Sequence, residues 1–263
     1  MTNESVGMGE QSKTEREKFE NELKRIIEAS NTAGLMLRVI GSLAFQMHCP
    51  KYGYLQAAMG RAYTDIDFAA YKKQSGEIKT LMAGLGYTEN REVFIISEGN
   101  RAIYENPHSN LHVDVFFDKL DFCHVISWLD RLNVDAPTIP LSELLLEKMQ
   151  IVKINEKDVI DTIMLLLEHP LGDKDVETIN IARVAKLCGS DWGLWRTTTM
   201  NLEKVSKLAG DYPQLSEVDK SQVDTQVKLA LARIEAEPKS MAWRIRARVG
   251  DRVKWYKDVD EVQ

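Results

Sequence analysis

The sequence predicts an α+β chain, with a mixed sheet and flanking helices first and an all-helical region after it. Three observations carry this. Short apolar runs bounded by turn residues recur up to about residue 118. Beyond about residue 138 they fade, and stretches of helical periodicity take over. Between the two, "NVDAPTIP" sets Pro137 and Pro140 where regular structure breaks. The expected division is a small, polar, disordered segment at 1–11, a sheet-bearing domain at 12–136 and a helical domain at 137–263.

The elements follow in order. Ser12 with Glu15 resembles a capping box, and Phe19, Leu23, Ile26 and Ile27 recur at helical spacing behind it. "LMLRVIG" reads as a buried strand ending in glycine, and "SLAFQMH" as the start of a helix packed behind it. Residues 50–60, with Pro50, Gly53 and Gly60, read as a loop or irregular insertion. "TDIDFAAY" is a second strand and "SGEIKTLMAGLGY" a helix closing at glycine. "EVFIIS" and "RAIYE", separated by Glu98-Gly99-Asn100, read as a hairpin, and "NLHVDVFFD" is the last strong strand. In the second half "SELLLEKMQIVK", "EKDVIDTIMLLLEH", "DVETINIARVAKLCG" and "SQVDTQVKLALARIEAE" favour helix. In the last of these Val223, Val227, Ala230, Leu231 and Ile234 form an apolar stripe. Trp192 and Trp195 read as helical core continued by Leu202 and Val205.

Composition narrows the function classes. The chain has 263 residues, 44% hydrophobic and 28% charged, as in an ordinary globular protein. No apolar run is long enough to span a membrane, and the polar N-terminus lacks the apolar core of a secretory signal, so a cytoplasmic location is expected. Cys49, Cys123 and Cys188 lie far apart and read as reduced thiols. The five histidines are scattered, which disfavours zinc, and His112 and His124 read as structural. A net charge of −6 argues against coating nucleic acid by charge alone.

The chemistry concentrates in the first half. Asp65 and Asp67 alternate with Ile66 on one strand, so they share a face. Two carboxylates so close repel unless a cation or proton lies between them. Asp114, in "HVDVF", is an acid inside an apolar strand that needs a partner. Gly41-Ser42 sits at a strand-to-helix junction, where free backbone N–H groups can meet an anion. Magnesium is held by a few carboxylates plus substrate phosphates, and this set suits it, with manganese as the alternative. Lys148 shares a helix face with Leu141, Leu144, Leu145 and Val152, so it either snorkels out or meets an anion, a triphosphate or an acid cluster. Lys157, Asp158 and Asp161 also fit the polar face of an amphipathic helix, a reading favoured for Lys157 and Asp161 and open for Asp158.

In this pattern the sequence resembles the nucleotidyltransferase superfamily, with the DNA polymerase β-like fold, over residues 35–118. The matching residues are Gly41-Ser42, Asp65-Ile66-Asp67 and Asp114. The resemblance implies that Asp65, Asp67 and Asp114 are catalytic and hold the metal ions, with Asp114 also activating the acceptor hydroxyl. Gly41 and Ser42 would contact the phosphates of a nucleoside triphosphate. A closer likeness is to the abortive-infection toxin-type branch and to a bacterial group of unassigned activity. Arg61 and Thr64 in "RAYTDID", and Lys148, Lys157, Asp158 and Asp161 in the helical half, match that branch. The likeness places Arg61, Thr64, Lys148 and Asp158 at the nucleotide, with pairing to a neighbouring acid as the alternative for Arg61, and raises membership of a toxin–antitoxin pair. One departure is the longer gap between Ser42 and Asp65.

The implied activity is transfer of a nucleoside monophosphate from a nucleoside triphosphate to a hydroxyl on RNA, protein or a small molecule, releasing pyrophosphate. The alternative is an inactive module of the same fold that binds nucleotide or docks a partner. "KSMAWRIRARVGDRVKWYK" is the one basic segment, and Arg244, Arg248 and Arg252 share a face. With Trp243, Trp255 and Tyr256 it forms a candidate RNA contact, against the alternative of a docked helix with a solvated face. No motif selects the acceptor, the base or the oligomeric state.

Overall fold

The computed structural model describes residues 4–259. The first elements in chain order are α1 (Glu4–Thr32), β1 (Leu37–Ile40), α2 (Gly41–His48), α3 (Tyr54–Ala58), β2 (Ile66–Ala70), α4 (Ser75–Gly84), β3 (Thr88–Glu89), α5 (Arg91–Ile96), β4 (Arg101–Asn106) and β5 (Leu111–Phe117). They are followed by β6 (Lys119–Asp121), β7 (Val125–Ser127), α6 (Leu141–Met149), α7 (Glu156–Glu168), β8 (Leu171–Gly172) and β9 (Ile179–Asn180). Last come α8 (Ile181–Ser190), α9 (Trp192–Asp211), α10 (Glu217–Ala236) and α11 (Met241–Val249). The architecture is mixed α+β, with a mixed sheet and a helical C-terminal region. Among the described residues no helix is long and apolar enough to cross a membrane.

The chain forms two compact units. One comprises residues up to Ala44 with Gly60–Lys119 and Ser127–Ile139; the other comprises Phe45–Met59, Leu120–Ile126 and the chain from Pro140 on. The first unit holds a five-stranded sheet in the order β1-β2-β5-β4-β3. Only the β2–β5 pair is parallel; β1–β2, β5–β4 and β4–β3 are antiparallel. Beyond β1, residues 137–139 continue the edge, with Val39 N–H donating to Pro137 O at 2.9 Å and Ile139 N–H to Val39 O at 3.2 Å. Pleating sends Val113, Val115 and Phe117 of β5 into the core with Ile66 and Phe68 of β2, all essentially buried. Their neighbours Asp67 and Asp114 therefore point to the opposite face.

Three local expectations are corrected. Residues 1–3 of the segment expected to be disordered lie outside the described residues, and from Glu4 on the backbone is helical, so α1 opens ahead of Ser12. No proline interrupts residues 4–11, and a helix nucleated further along can propagate back through them. "EVFIIS" is the helix α5, not a strand: Asn90 caps it, its side chain accepting from Val93 N–H, and Ile95 and Ile96 stay exposed. The strand that pairs with β4 there is the short β3, with Thr88 opposite Glu105 and Glu89 opposite Tyr104. The 50–60 segment contains a short helix, α3.

In the second unit α6 and α7 are buried along most of their length. Capping boxes open α7 (Asn155 with Asp158) and α10 (Ser216 with Asp219). Asn201 of α9 donates to Met149 O at 3.0 Å and Ile151 O at 2.7 Å, tying α9 to the end of α6. Trp192, Leu202 and Val205 are buried as expected, whereas Trp195 is only half-buried and donates its indole N–H to Glu235 Oε1 at 2.7 Å; all three cysteines are buried, none in a disulfide. Burial pushes the Cys188 thiol up to about 12.

Candidate functional site

Register builds the site. Asp67 pairs with Asp114 across the parallel β2–β5 junction, and on either side the row continues to Ile40 and Ile103. Two carboxylates thus sit side by side on one face of the sheet. Asp65 lies one residue before β2 begins, where its side chain falls on Asp67's side. Asp65 and Asp67 are half-buried, whereas Asp114 is 6% exposed.

Gly41 ends β1 and starts α2 with φ +66°, a left-handed conformation that favours glycine. A Cβ there would stand 2.2 Å from Asp67 Oδ2, so the glycine's missing side chain makes room for this carboxylate. That places Asp67 at the first turn of α2, where the helix dipole favours negative charge. Ser42, next in the turn, is buried at 4% exposure. Thr64 Oγ1 donates to Asp65 Oδ1 at 3.0 Å, and the half-buried Arg61 donates to Ala62 O at 3.2 Å. Gly41, Ser42, Arg61, Thr64, Asp65, Asp67 and Asp114 therefore all belong to the sheet-bearing unit.

The residue missed from sequence is Arg101. Its Nε donates to Asp114 Oδ1 at 3.0 Å and Oδ2 at 2.9 Å, and its Nη2 to Oδ2 at 2.5 Å. Its guanidinium carbon lies 5.2 Å from the centroid of the Phe116 ring. Since Ile103 pairs with Asp114, Arg101 two residues away is its diagonal neighbour on the same face. Reading "RAIYE" and "NLHVDVFFD" as one hairpin with a short Pro107–Asn110 turn gives this register. Burial pushes the Asp114 carboxyl above the usual value; the hydrogen bonds and charge of Arg101 oppose this and the charge of Asp65 adds to it. Burial works against the Arg101 cation. The bonds and charge of Asp114, with Asp67 and Asp65 adding, nevertheless leave its pKa raised.

As a metal site the set fits in part. Asp65 and Asp67 are half-buried carboxylates, the ligand type magnesium takes, and Asp65 Oδ1 already accepts from Thr64 Oγ1. Asp114 does not offer its oxygens on the same terms, because both accept from Arg101. Among the described residues no group of three or more His, Cys, Asp or Glu side chains is placed to hold a metal ion together.

Lys148 and Asp158 lie in the helical unit, and there Lys148 meets an acid cluster. Its Nζ is 3.2 Å from Glu147 Oε1, 3.3 Å from Asp158 Oδ1 and 3.4 Å from Asp161 Oδ2, and 5.3 Å from the centroid of the Phe45 ring. Asp161, expected on a solvated face, is instead fully buried and also accepts from Gln56 Nε2 at 2.9 Å. An acid at zero exposure needs such partners, and its helical period aims it at Lys148 rather than water. Asp158 also works as the capping acid of α7, and Lys157 is exposed as expected. The same unit holds a cavity of about 290 Å³, lined by Asp158, Lys153, Phe122, Cys123, Tyr256 and Lys257 among others.

On α11, Arg244, Arg248 and Arg252 beyond it are exposed and carry no ion-pair partner among the described residues. The rings expected beside them are half-buried, and two of them are engaged elsewhere. Trp243 meets Trp195 edge-on at 5.1 Å, and Trp255 donates its indole N–H to Thr197 Oγ1 at 3.0 Å. Comparison with protein-family models, curated proteins and solved structures found no match.

Proposed function

We propose that the chain is a nucleotidyltransferase of the DNA polymerase β-like fold that uses magnesium, or manganese in its place. It would transfer a nucleoside monophosphate from a nucleoside triphosphate to a hydroxyl acceptor. The observation that carries the reading is the register of Asp67 against Asp114, with the Asp67 carboxylate seated at the Gly41 turn. Unrelated surface acids would have no reason to be aligned across the one parallel junction of a sheet and tucked against a helix start.

In this reading Asp65 and Asp67 would hold the ion, which would supply charge to offset the phosphates and polarise the reacting phosphoryl group. Backbone N–H groups at Gly41 and Ser42 would face the phosphates, with Arg61 and Thr64 on the approach to the acids. The acceptor oxygen attacks the α-phosphorus and the bond to the bridging oxygen of the leaving pyrophosphate breaks. The hydroxyl proton passes to Asp114 or to water. Positioning and fixed charge supply most of the catalysis.

The test incubates the protein and its Asp67→Asn variant with magnesium and each α-labelled nucleoside triphosphate, using a cell lysate as acceptor resolved into RNA, protein and small-molecule fractions. Label transferred by the wild type alone supports the reading and names the acceptor class. Equal transfer by Asp67→Asn would falsify the site. The Arg101–Asp114 pair favours one other reading, a nucleotide-binding module without turnover, since it engages both oxygens of Asp114. A magnesium-dependent nucleotide complex that never yields pyrophosphate distinguishes that case.

A further inference from the structure

The helical unit holds a cavity of about 290 Å³ that the proposed transfer does not use. That size is near the roughly 300 Å³ at which small-molecule sites begin. Three stretches far apart in the chain wall it: Phe122 with Cys123, positions between Ile151 and Asp158, and the C-terminal segment from Tyr256 to Val259. Hydrogen bonds hold these stretches to one another. Val152 N–H donates to Cys123 Sγ at 3.5 Å, and Lys257 N–H donates to Cys123 O at 3.1 Å. The C-terminal segment is also tied to α9, because Trp255 donates its indole N–H to Thr197 Oγ1 at 3.0 Å. The walls are therefore fixed by the fold before anything enters.

Phe122, Ile151, Val152 and Tyr256 give the cavity an apolar wall, and Val259, which also lines it, is 43% exposed. Four charged side chains line it too, and three of them have a partner. Asp158 Oδ1 is 3.3 Å from Lys148 Nζ, and its Oδ2 accepts from Asn155 N–H at 3.4 Å. Lys257 pairs with Asp121, and Asp258 with Lys254. Lys153 is exposed and has no ion-pair partner among the described residues. The unpaired charge at this cavity is therefore positive. We propose that the cavity is a binding site for a small organic anion, a flat apolar body carrying one carboxylate. The rings of Phe122 and Tyr256 suit a planar body, and Lys153 meets the carboxylate. A nucleoside triphosphate is a poor match, since it would set several phosphate charges against one unpaired cation. The acids of the proposed transfer site lie in the other unit, so this site stands independently of that reading.

The experiment titrates three compounds of similar shape and different charge into the full-length protein by calorimetry: indole-3-acetate, 3-methylindole and tryptamine. Indole-3-acetate should bind once per chain, with a Kd on the order of 0.1 mM for a body of this size, and more tightly than the other two. Lys153→Gln changes an exposed side chain and should leave the fold intact. It should weaken indole-3-acetate about fivefold, as for a partly solvated ion pair, and leave 3-methylindole unchanged. Val152→Phe puts a ring into the cavity and should abolish binding of all three, with far-ultraviolet circular dichroism checking that it folds. Failure of indole-3-acetate to bind overturns the proposal. So does binding that Lys153→Gln or a folded Val152→Phe leaves unchanged, and so does tighter binding of tryptamine. Displacement of indole-3-acetate by ATP with magnesium would hand the cavity to the nucleotide and likewise overturn it. None of these outcomes bears on the Asp67→Asn transfer test, which decides the other reading separately.

Discussion

The backbone of Gly41 and the carboxylate of Asp67 are fitted to one another: a Cβ on the glycine would fall 2.2 Å from Asp67 Oδ2, and its φ is +66°. Gly41→Ala is therefore doubly penalised, by left-handed strain and by a clash with a side chain held on the sheet. The expected loss is roughly 1–3 kcal/mol from strain alone, read by urea denaturation. Nucleotidyl transfer should fall much further than the folded fraction does. A variant with wild-type activity would remove Asp67's placement at this turn from the functional account.

The Arg101–Asp114 pair is coupled in stability as well as in charge. A double-mutant cycle through Arg101→Gln, Asp114→Asn and the combination should give an interaction energy of about 1–3 kcal/mol. Partial exposure of the guanidinium keeps it below what a fully buried pair would give. Additive single effects would mean that the pair contributes nothing in solution.

Lys148 sits among Glu147, Asp158 and Asp161, and its side chain is 7% exposed. Lys148→Met preserves much of the volume and leaves buried carboxylates without their cation. It should destabilise the protein by roughly 3–5 kcal/mol, and adding Asp161→Asn should recover part of that loss. Thermal denaturation of the three proteins decides it; a Lys148→Met melt matching the wild type would mean the acids find other cations.

His124 gives the helical unit a pH response. Its Nε2 is 2.8 Å from Thr197 Oγ1, and its backbone N–H donates to Gln150 Oε1 at 3.0 Å. Burial lowers its pKa below the usual histidine value, with Asp191 opposing. The unfolded chain therefore takes up the proton first as pH falls. The stabilisation is fully present above about pH 6.5 and is lost as pH drops through the lowered value, with a slope of at most about 1.4 kcal/mol per pH unit from this group. Urea midpoints between pH 7.5 and 5 should fall for the wild type and fall less for His124→Gln. Identical profiles would place the pH response elsewhere.

In the RNA contact read from the C-terminal segment the exposed arginines and the half-buried Tyr256 remain, because Trp243 is engaged by Trp195 and Trp255 by Thr197. Replacing Arg244, Arg248 and Arg252 together by Glu should weaken retention of single-stranded RNA. The slope of log K against log salt should shrink by about 2, at roughly 0.7 for each phosphate contact on a single strand. An unchanged slope leaves α11 as a docked helix with a solvated basic face.

Much of the site was legible before the fold. Asp65, Asp67 and Asp114 stood out because acids inside apolar alternating runs demand an explanation, and Gly41 because it ends a strand. Arg101 did not stand out, since an arginine at the start of a strand is unremarkable until register shows what lies diagonally across from it. "EVFIIS" misled for a related reason. Its β-branched content fits a strand, but the Asn90 cap and the pairing of Thr88 and Glu89 with β4 use up the edge that it would have joined.

The sequence by itself determined the sheet-then-helix succession, the central strands β1, β2, β4 and β5 and the long helices of the second half, and which side chains are chemically out of place, because these depend on local periodicity and residue type. Tertiary structure alone decided who meets whom. It set Asp67 beside Asp114, gave Asp114 to Arg101, and turned Asp161 from an expected surface acid into a buried partner of Lys148. Pairing of strands and packing of helices join residues far apart in the chain, and no local pattern encodes which partner a buried charge will find.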